Sequence, residues 1–125
     1  MGNKRRLAGR NELGRRAEDA ALDFLESRGY RLLERNWRCG HKEIDLIMLG
    51  NGFLHIIEVR SLTESGNIPY ESINAGKQRD IISAAARYVY EKRICMETKF
   101  DVVSVIFRKD KIDVEHYPEA FAPRW

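Results

Sequence analysis

An Asn-Gly pair at positions 51 and 52 is the feature of this sequence that most restricts its fold. Two apolar runs flank the pair, one from Lys42 to Gly50 and the other from Phe53 to Arg60. Asn-Gly is a strong hairpin signal because both residues tolerate the positive φ angles of a type I′ turn. The sequence therefore predicts two antiparallel strands that are joined by a two-residue turn.

The turn also fixes the register of the predicted hairpin. If the residues next to the turn pair with each other, Asp45 lies opposite Glu58 and Glu43 lies opposite Arg60, all on one face of the sheet. Directly opposed Cβ atoms are about 4.5 to 5.5 Å apart, so the two carboxylates repel each other. Apolar neighbours leave them poorly solvated, and a proton, an arginine or a metal ion must compensate them. Our hypothesis is a divalent cation; the alternative is a Glu43–Arg60 ion pair beside two solvated carboxylates.

Length and composition predict one domain that spans residues 1–125. The chain is long enough to bury a core, and its 43% apolar and 33% charged residues are ordinary for a soluble globular protein. We find no apolar run of about 20 residues. The basic N-terminus is not followed by the apolar stretch of a secretory signal. We therefore expect a cytoplasmic protein that makes no membrane contact.

Positive charge is concentrated at the N-terminus, although the net charge of the whole chain is only +3. The first 16 residues contain one acidic residue, Glu12, and six basic ones: Lys4, Arg5, Arg6, Arg10, Arg15 and Arg16. A basic arm at residues 1–10 suits contact with a phosphate backbone, because such contacts release condensed counterions. The same composition also suits a solubilising terminus.

Helical periodicity predicts a first helix from about Arg10 to Gly29 and a second from Ile73 or Ala75 to Glu91. Glu18 flanks the apolar stripe of the first helix, where it either reaches the sheet or remains on the surface. The other predicted elements are a strand at 30–37 with a bulge near residue 36, a loop at 61–72, a strand at 99–107, a shorter strand at 111–117 and an irregular tail.

The second helix carries two polar residues near its start. The N-cap is expected to be Ser72 or Asn74. Gln78 lies on the buried stripe, where its amide either holds a phosphate or a water or serves as a cap. Lys77 lies about 100° around the helix, where we expect it to add positive charge near a bound backbone. A strand, a helix and another strand also predict that the strand at 99–107 runs parallel to its neighbour.

This order of elements resembles the PD-(D/E)xK nuclease core. More narrowly, the chain is similar to the YraN family of bacterial proteins, which are described as Holliday-junction-resolvase-like or restriction-endonuclease-like. The matching residues are Gly14, Glu18 and Ala21, Gly29-Tyr30, Asn36-Trp37, Glu43 to Ile47, Glu58-Val59, Lys77-Gln78 and Phe100 to Val103. The resemblance implies a mixed α/β, restriction-endonuclease-like domain.

The resemblance also implies roles for individual residues. Asp45 and Glu58 would bind Mg²⁺ or Mn²⁺, Glu18 would assist, and Gln78 would orient the attacking water or the phosphate. Arg60 stands where the nuclease pattern has lysine; it could stabilise developing negative charge but could not act as a base. The implied substrate is nucleic acid, with DNA favoured over RNA. A resolvase-like function would further imply a homodimer with two active sites.

Two functions follow from these residues. The first is a Mg²⁺-dependent endonuclease. The second is a non-catalytic nucleic-acid-binding module on the same fold, in which Arg60 is paired with Glu43. A purely structural protein without a nucleic-acid partner is the third possibility.

Overall fold

The computed structural model describes residues 2–63 and 73–123, with side chains from 12 to 62 and from 73 to 123. It contains two helices and five strands. In chain order they are α1 (Gly2–Ser27), β1 (Arg31–Cys39), β2 (Lys42–Gly50), β3 (Phe53–Thr63), α2 (Ala75–Lys92), β4 (Thr98–Phe107) and β5 (Ile112–Phe121).

The five strands form one mixed sheet in the order β1-β2-β3-β4-β5. Neighbouring strands are antiparallel except β3 and β4, which are parallel. Parallel strands need a crossover connection, and α2 lies in that connection. This is the mixed α/β, restriction-endonuclease-like arrangement that the sequence predicts.

The predicted hairpin and its register are confirmed. Asn51 has a φ angle of 54° and Gly52 one of 83°, as a turn with two left-handed residues requires. The ladder between β2 and β3 starts with the pair Gly50 and Phe53 and continues to the pair Leu46 and Ile57. Every residue of this hairpin therefore has the partner that the turn dictates as far as Leu46.

The two helices cover opposite faces of the sheet. Ala17, Ala21 and Leu25 of α1 pack against one face in a cluster with Leu46, Met48, Ile57, Val103 and Val105. The second cluster joins Ile81, Ala84, Ala85 and Tyr88 of α2 to Ile44, Ile47, Leu54, Ile56 and Phe100. Cover on both sides explains why the central strands are almost continuously apolar. Within the described part of the chain, no helix is long and apolar enough to cross a membrane.

Several predicted boundaries were wrong. Helix α1 begins at Gly2 rather than near Arg10, so the backbone of the predicted basic arm is helical. Strand β3 continues to Thr63 into the predicted loop, whose remaining residues 64–72 lie outside the described ones. Strand β5 continues to Phe121, although Pro118 led us to expect an irregular tail. Proline is tolerated there because β5 is at the edge of the sheet.

Candidate active site

The β2–β3 hairpin opens at Asp45. The ladder ends at the pair Leu46 and Ile57, and beyond it the Asp45 carboxylate accepts a hydrogen bond from the backbone N–H of Val59 at 2.8 Å. Residues two apart in a strand normally face the same side. Here Leu46 belongs to the cluster under α1 whereas Ile44 belongs to the cluster under α2. The alternation is thus broken at Asp45, and its side chain lies where β2 separates from β3.

A matching irregularity lies on β1. Asn36 has a φ angle of 54°, which asparagine tolerates better than most residues. Arg35 on one side of it contacts α1, and Trp37 on the other side packs edge to face on Tyr88 of α2. The bulge predicted near Asn36 lies earlier in the strand, at the register shift between Leu32 and Glu34, whereas the register is the same on both sides of Asn36 and only its backbone is left-handed. Both strands change face at the same level, which opens the end of the sheet.

Asp45 and Glu58 interact at this opening, as the hairpin register predicts. Glu58 is only 8% exposed. Burial raises the pKa of Asp45 well above its ordinary value, and the charge of Glu58 raises it further. Burial also raises the pKa of Glu58, although the nearby charge of Lys77 opposes this. The two carboxylates therefore lack enough compensating charge within the described part of the protein.

Glu18 reaches the same end of the sheet from α1. Asn36 Nδ2 donates to both carboxylate oxygens of Glu18, at 3.1 and 3.0 Å, and to Glu43 Oε2 at 3.0 Å. Arg35 Nε also donates to Glu18, at 3.1 Å. The negative charge of Glu18 contributes to the raised pKa of Asp45. Of the two positions considered for Glu18, the structure therefore has the one that faces the sheet.

Lys77 is the residue for which the predicted direction was wrong. We expected it to point away from the sheet, but its Nζ lies 3.5 Å from Glu58 Oε2. A long, flexible side chain spans the 100° that separates its Cα from the buried stripe. Gln78 donates from Nε2 to the backbone oxygen of Ile73 at 2.8 Å. The roles considered for the Gln78 amide, toward a phosphate or a water or as a cap, stay predictions.

Arg60 does not form the ion pair that the alternative function requires. Glu43 is bound instead by Arg38, at 3.3 Å, and by Asn36. Among the described side chains no ion pair joins Arg60 to Glu43, because the hairpin opens before their positions could oppose each other. The positive charge of Arg60 acts on Glu58, though less than that of Lys77.

The basic residues of α1 are only partly described. Arg15 and Arg16 are exposed, and the Arg16 guanidinium lies 5.1 Å from the centroid of the Phe107 ring. The remaining members of the basic arm have side chains outside the described residues; they are Lys4, Arg5, Arg6 and Arg10. Contact between these residues and nucleic acid stays a prediction.

A second buried polar cluster was missed by sequence reasoning. Asp101 Oδ2 accepts from His55 Nδ1 at 2.8 Å and from His116 Nε2 at 2.9 Å, while Asp101 Oδ1 accepts from the N–H of Glu119 at 3.0 Å. The Tyr30 ring packs against both imidazoles. Asp101 and His55 each interrupt an apolar strand, which is a signal of buried polar residues, but no spacing indicates that they pair.

The carboxylates at the opening determine which metal ion could bind there. In the part of the chain with described side chains, no group of three or more His, Cys, Asp and Glu residues converges to enclose a metal ion. Mg²⁺ does not need such an enclosure, because it is commonly held by one or two carboxylates, retained waters and substrate phosphates. Asp45 and Glu58 meet this requirement, and a divalent cation would compensate the burial that raises the pKa of both groups and the charge of Glu58 that raises the pKa of Asp45 further.

Comparison with known proteins places the chain in a family. A model of the uncharacterised protein family UPF0102 matches residues 17–105. The chain belongs to the UPF0102 family. It is 36% identical over 118 residues to a UPF0102 protein of Bacteroides fragilis, covering 94% of this chain and 98% of that protein. The UPF0102 protein of Syntrophotalea carbinolica is 38% identical over 114 residues, covering 90% and 93% of the two chains.

The part of the chain that matches the UPF0102 model includes the whole opening. Glu18, Asp45, Glu58 and Lys77 lie inside residues 17–105, whereas the basic first 16 residues and strand β5 lie outside that range. A UPF0102 protein of Myxococcus xanthus is also similar, at 36% identity over 116 residues and with 91% and 92% of the two chains covered.

Proposed function

We propose that this protein is a Mg²⁺-dependent or Mn²⁺-dependent nuclease that cleaves phosphodiester bonds, with DNA as the favoured substrate. The observation that carries the proposal is the interacting pair Asp45 and Glu58. A buried carboxylate and a partly buried one, both with a raised pKa, are costly to retain for structure alone. They become favourable when a divalent cation is bound between them.

The chemistry of the opening suits hydrolysis of a phosphodiester. A cation held by Asp45 and Glu58 would supply Lewis acidity and lower the pKa of water. The backbone N–H of Val59 fixes the orientation of Asp45. Asn36 donates to both Glu18 and Glu43 and so holds the two side chains together. Glu18 therefore adds negative charge without moving into the space between β2 and β3.

Nucleic acid as the substrate follows from the charge distribution. The basic residues within the first 16 positions lie on α1, the same helix that carries Glu18. Arg15 and Arg16 are exposed on α1 and are available for phosphate contacts. Such contacts carry no sequence information, which suits an enzyme that recognises the form of its substrate rather than its sequence.

The test is a cleavage assay with duplex, flap and four-way-junction DNA and with matched RNA, in Mg²⁺, in Mn²⁺ and in EDTA. We expect metal-dependent nicking that is lost in Asp45→Asn and in Glu58→Gln. The matched control is Asp80→Asn, which removes an exposed carboxylate of α2. Nicking that survives Asp45→Asn would come from a contaminant and would contradict the assignment.

A second outcome would favour the non-catalytic alternative. Salt-dependent DNA binding without metal-dependent nicking on any substrate would indicate a binding module. Its log-log salt slope for duplex DNA would be about −0.9 per phosphate contact, and removal of residues 1–10 would flatten it by as many as four contacts. Because Glu43 is bound by Arg38, loss of activity could then not be attributed to a Glu43–Arg60 pair.

A further inference from the structure

We infer that Lys77, and not Arg60, supplies the positive charge that stabilises the attacked phosphate. The inference rests on the proposed nuclease function and identifies one of its catalytic residues. The resemblance to the nuclease core suggested Arg60 for this role, because Arg60 stands where that pattern has lysine. The contacts around Glu58 favour the lysine of α2 instead.

The position of the ammonium group is the first argument. Lys77 Nζ lies 3.5 Å from Glu58 Oε2. The Lys77 side chain is 50% exposed, whereas the Glu58 side chain is only 10% exposed. The ammonium therefore lies between a buried carboxylate and the solvent, which is where a phosphate group must approach. A phosphate oxygen near a cation held by Glu58 would be within reach of the same ammonium.

The second argument is that the backbone of Lys77 is held in place. Asn74 caps α2, and its Oδ1 accepts from the backbone N–H of Lys77 at 2.8 Å. Gln78 adds two contacts to the same turn, one from its side chain to Ile73 O and one from its backbone N–H to Asn74 O at 3.0 Å. Preorganised charge costs no rearrangement during the reaction, and such charge contributes most to catalysis.

The third argument compares Lys77 with Arg60 directly. Among the described side chains, only Lys77 forms an ion pair with Glu58. Lysine also presents a compact charge with rotatable donors, whereas arginine presents a wide planar fork. The Lys77 ammonium is therefore the group placed to donate to a phosphate oxygen beside Glu58.

The reaction defines what this charge does. A water oxygen forms a bond to phosphorus, the bond from phosphorus to the leaving oxygen breaks, and protons from the water pass to the leaving oxygen and to solvent. Negative charge accumulates on the non-bridging oxygens as this occurs. Lys77 donates a hydrogen bond to one of these oxygens.

The experiment compares Lys77→Met with Arg60→Met in Mn²⁺, on a substrate that the wild type cleaves. We expect Lys77→Met to lower kcat by about 10²- to 10³-fold with little change in KM, as when one preorganised donor is removed. We expect a smaller loss for Arg60→Met. Lys77→Arg, which keeps the charge but changes the donor geometry, should recover part of the lost kcat.

A Mn²⁺ titration by calorimetry provides a readout that does not depend on activity. Removing the ammonium frees Glu58 from a competing cation, so Lys77→Met should bind Mn²⁺ at least as tightly as the wild type. Urea unfolding of each variant checks the fold. If Lys77→Met failed to fold, Lys77→Gln, which keeps a polar side chain, would replace it.

The possible results separate the inference from the function on which it rests. An unchanged kcat in Lys77→Met, with Asp45→Asn inactive, would overturn the inference and leave the nuclease function standing. A raised KM with unchanged kcat would also overturn it, since Lys77 would then only bind the nucleic-acid backbone. A wild type without activity on every substrate would overturn the function and the inference together.

Discussion

Two acidic side chains in this sheet have opposite electrostatic surroundings: Asp101 lies on β4, and Asp45 lies on β2, two strands away. Asp101 of β4 pairs in register with Ile57, one position away from Glu58. Burial alone would raise the pKa of Asp101, but donors from His116, His55 and the Glu119 backbone outweigh it and lower that pKa to about 2. At Asp45 burial raises the pKa and Glu58 adds to the increase. The supply of donors, rather than burial, decides the outcome.

The donors of Asp101 come from a local distortion of the sheet. The register between β4 and β5 shifts between Phe100 and Val102, and Glu119 has a φ angle of 51°. This shift turns the Glu119 N–H toward the Asp101 carboxylate. At Asp45 the distortion of β2 leaves one backbone donor, the Val59 N–H, while the carboxylate of Glu58 lies near. One irregularity thus surrounds a carboxylate with donors, and the other leaves two carboxylates with raised pKa values.

The largest expected loss of stability follows from removing the Asp101 carboxylate. Asp101→Ala leaves two imidazoles and the Glu119 N–H without their acceptor, so we expect it to lower the free energy of unfolding by about 3 to 5 kcal/mol. Urea unfolding measures this loss, with Asp101→Asn, which keeps one acceptor, as the milder control. A loss below about 1 kcal/mol, the size of one ordinary hydrogen bond, would contradict the stabilising role of the cluster.

Gly50 tests how tightly the same cluster is packed. A Cβ atom at position 50 would lie 2.6 Å from Cδ2 of the Tyr30 ring, which in turn packs on His55. We expect Gly50→Ala to cost about 1 to 3 kcal/mol in urea unfolding, as overpacking does. Gly14→Ala is the matched control: its Cβ would meet open space in a helix, so it should stabilise the protein by about 0.5 to 1 kcal/mol. Equal effects of both changes would refute the packing argument.

The sequence predicted the hairpin that carries Asp45 and Glu58 because the residues that determine this hairpin are close together in the chain. Asn51 and Gly52 set the turn, the turn set the register, and alternation placed the two carboxylates together. Alternation could not predict where the ladder stops. The stop depends on Asn36 and on the Val59 N–H, both distant in sequence from Asp45, and it removed Arg60 from its predicted partner.

The features that the sequence did not predict depend mainly on contacts between residues that are far apart in the chain. Asp101 binds His55, 46 positions earlier in the chain, and neither helical nor strand periodicity reports such a pair. Lys77 was misplaced for a different reason. Periodicity locates the Cα of a lysine on a helix, but the ammonium lies several bonds farther away and follows the nearest buried carboxylate, here Glu58.

The protonation state of His55 gives a pH dependence that sharpens the comparison. Both ring nitrogens face groups that accept, the Asp101 carboxylate and the Gly50 carbonyl, so folding favours the protonated ring, which can donate to both. Burial lowers the pKa of His55, yet these hydrogen bonds leave it above 6.5. Its contribution to stability is therefore complete below pH 6.5 and is lost as pH rises through the folded pKa.

For Asp101, whose pKa is lowered, the contribution is complete above pH 3.8 and is lost as pH falls toward about 2. We therefore expect the free energy of unfolding to decrease from pH 6 to pH 9, by less than the loss in Asp101→Ala. The measurement belongs in an Asp45→Asn background, because the raised carboxylate pKa values also favour unfolding as pH rises. A His55→Gln variant that keeps the full decrease would show that another group causes it.

The smallest expected effect concerns Asp45, where substitution should stabilise the protein instead of destabilising it. Without added metal, Asp45→Asn removes one of two repelling carboxylates, while its amide oxygen can still accept from the Val59 N–H. We expect it to stabilise the protein by about 1 kcal/mol, as when function and stability conflict. Adding Mg²⁺ should raise the Tm of the wild type, because a ligand that binds only the folded state stabilises it, and should raise that of Asp45→Asn much less.

Asp80→Asn is the control for this last effect, since it makes the same chemical change at an exposed position of α2. Neither its Tm nor its response to Mg²⁺ should differ from that of the wild type. If Asp45→Asn instead destabilised the protein in the absence of metal, Asp45 would stabilise the folded protein as Asp101 does. The contrast between the two acidic side chains would then disappear, and with it the main physical reason to expect a cation between Asp45 and Glu58.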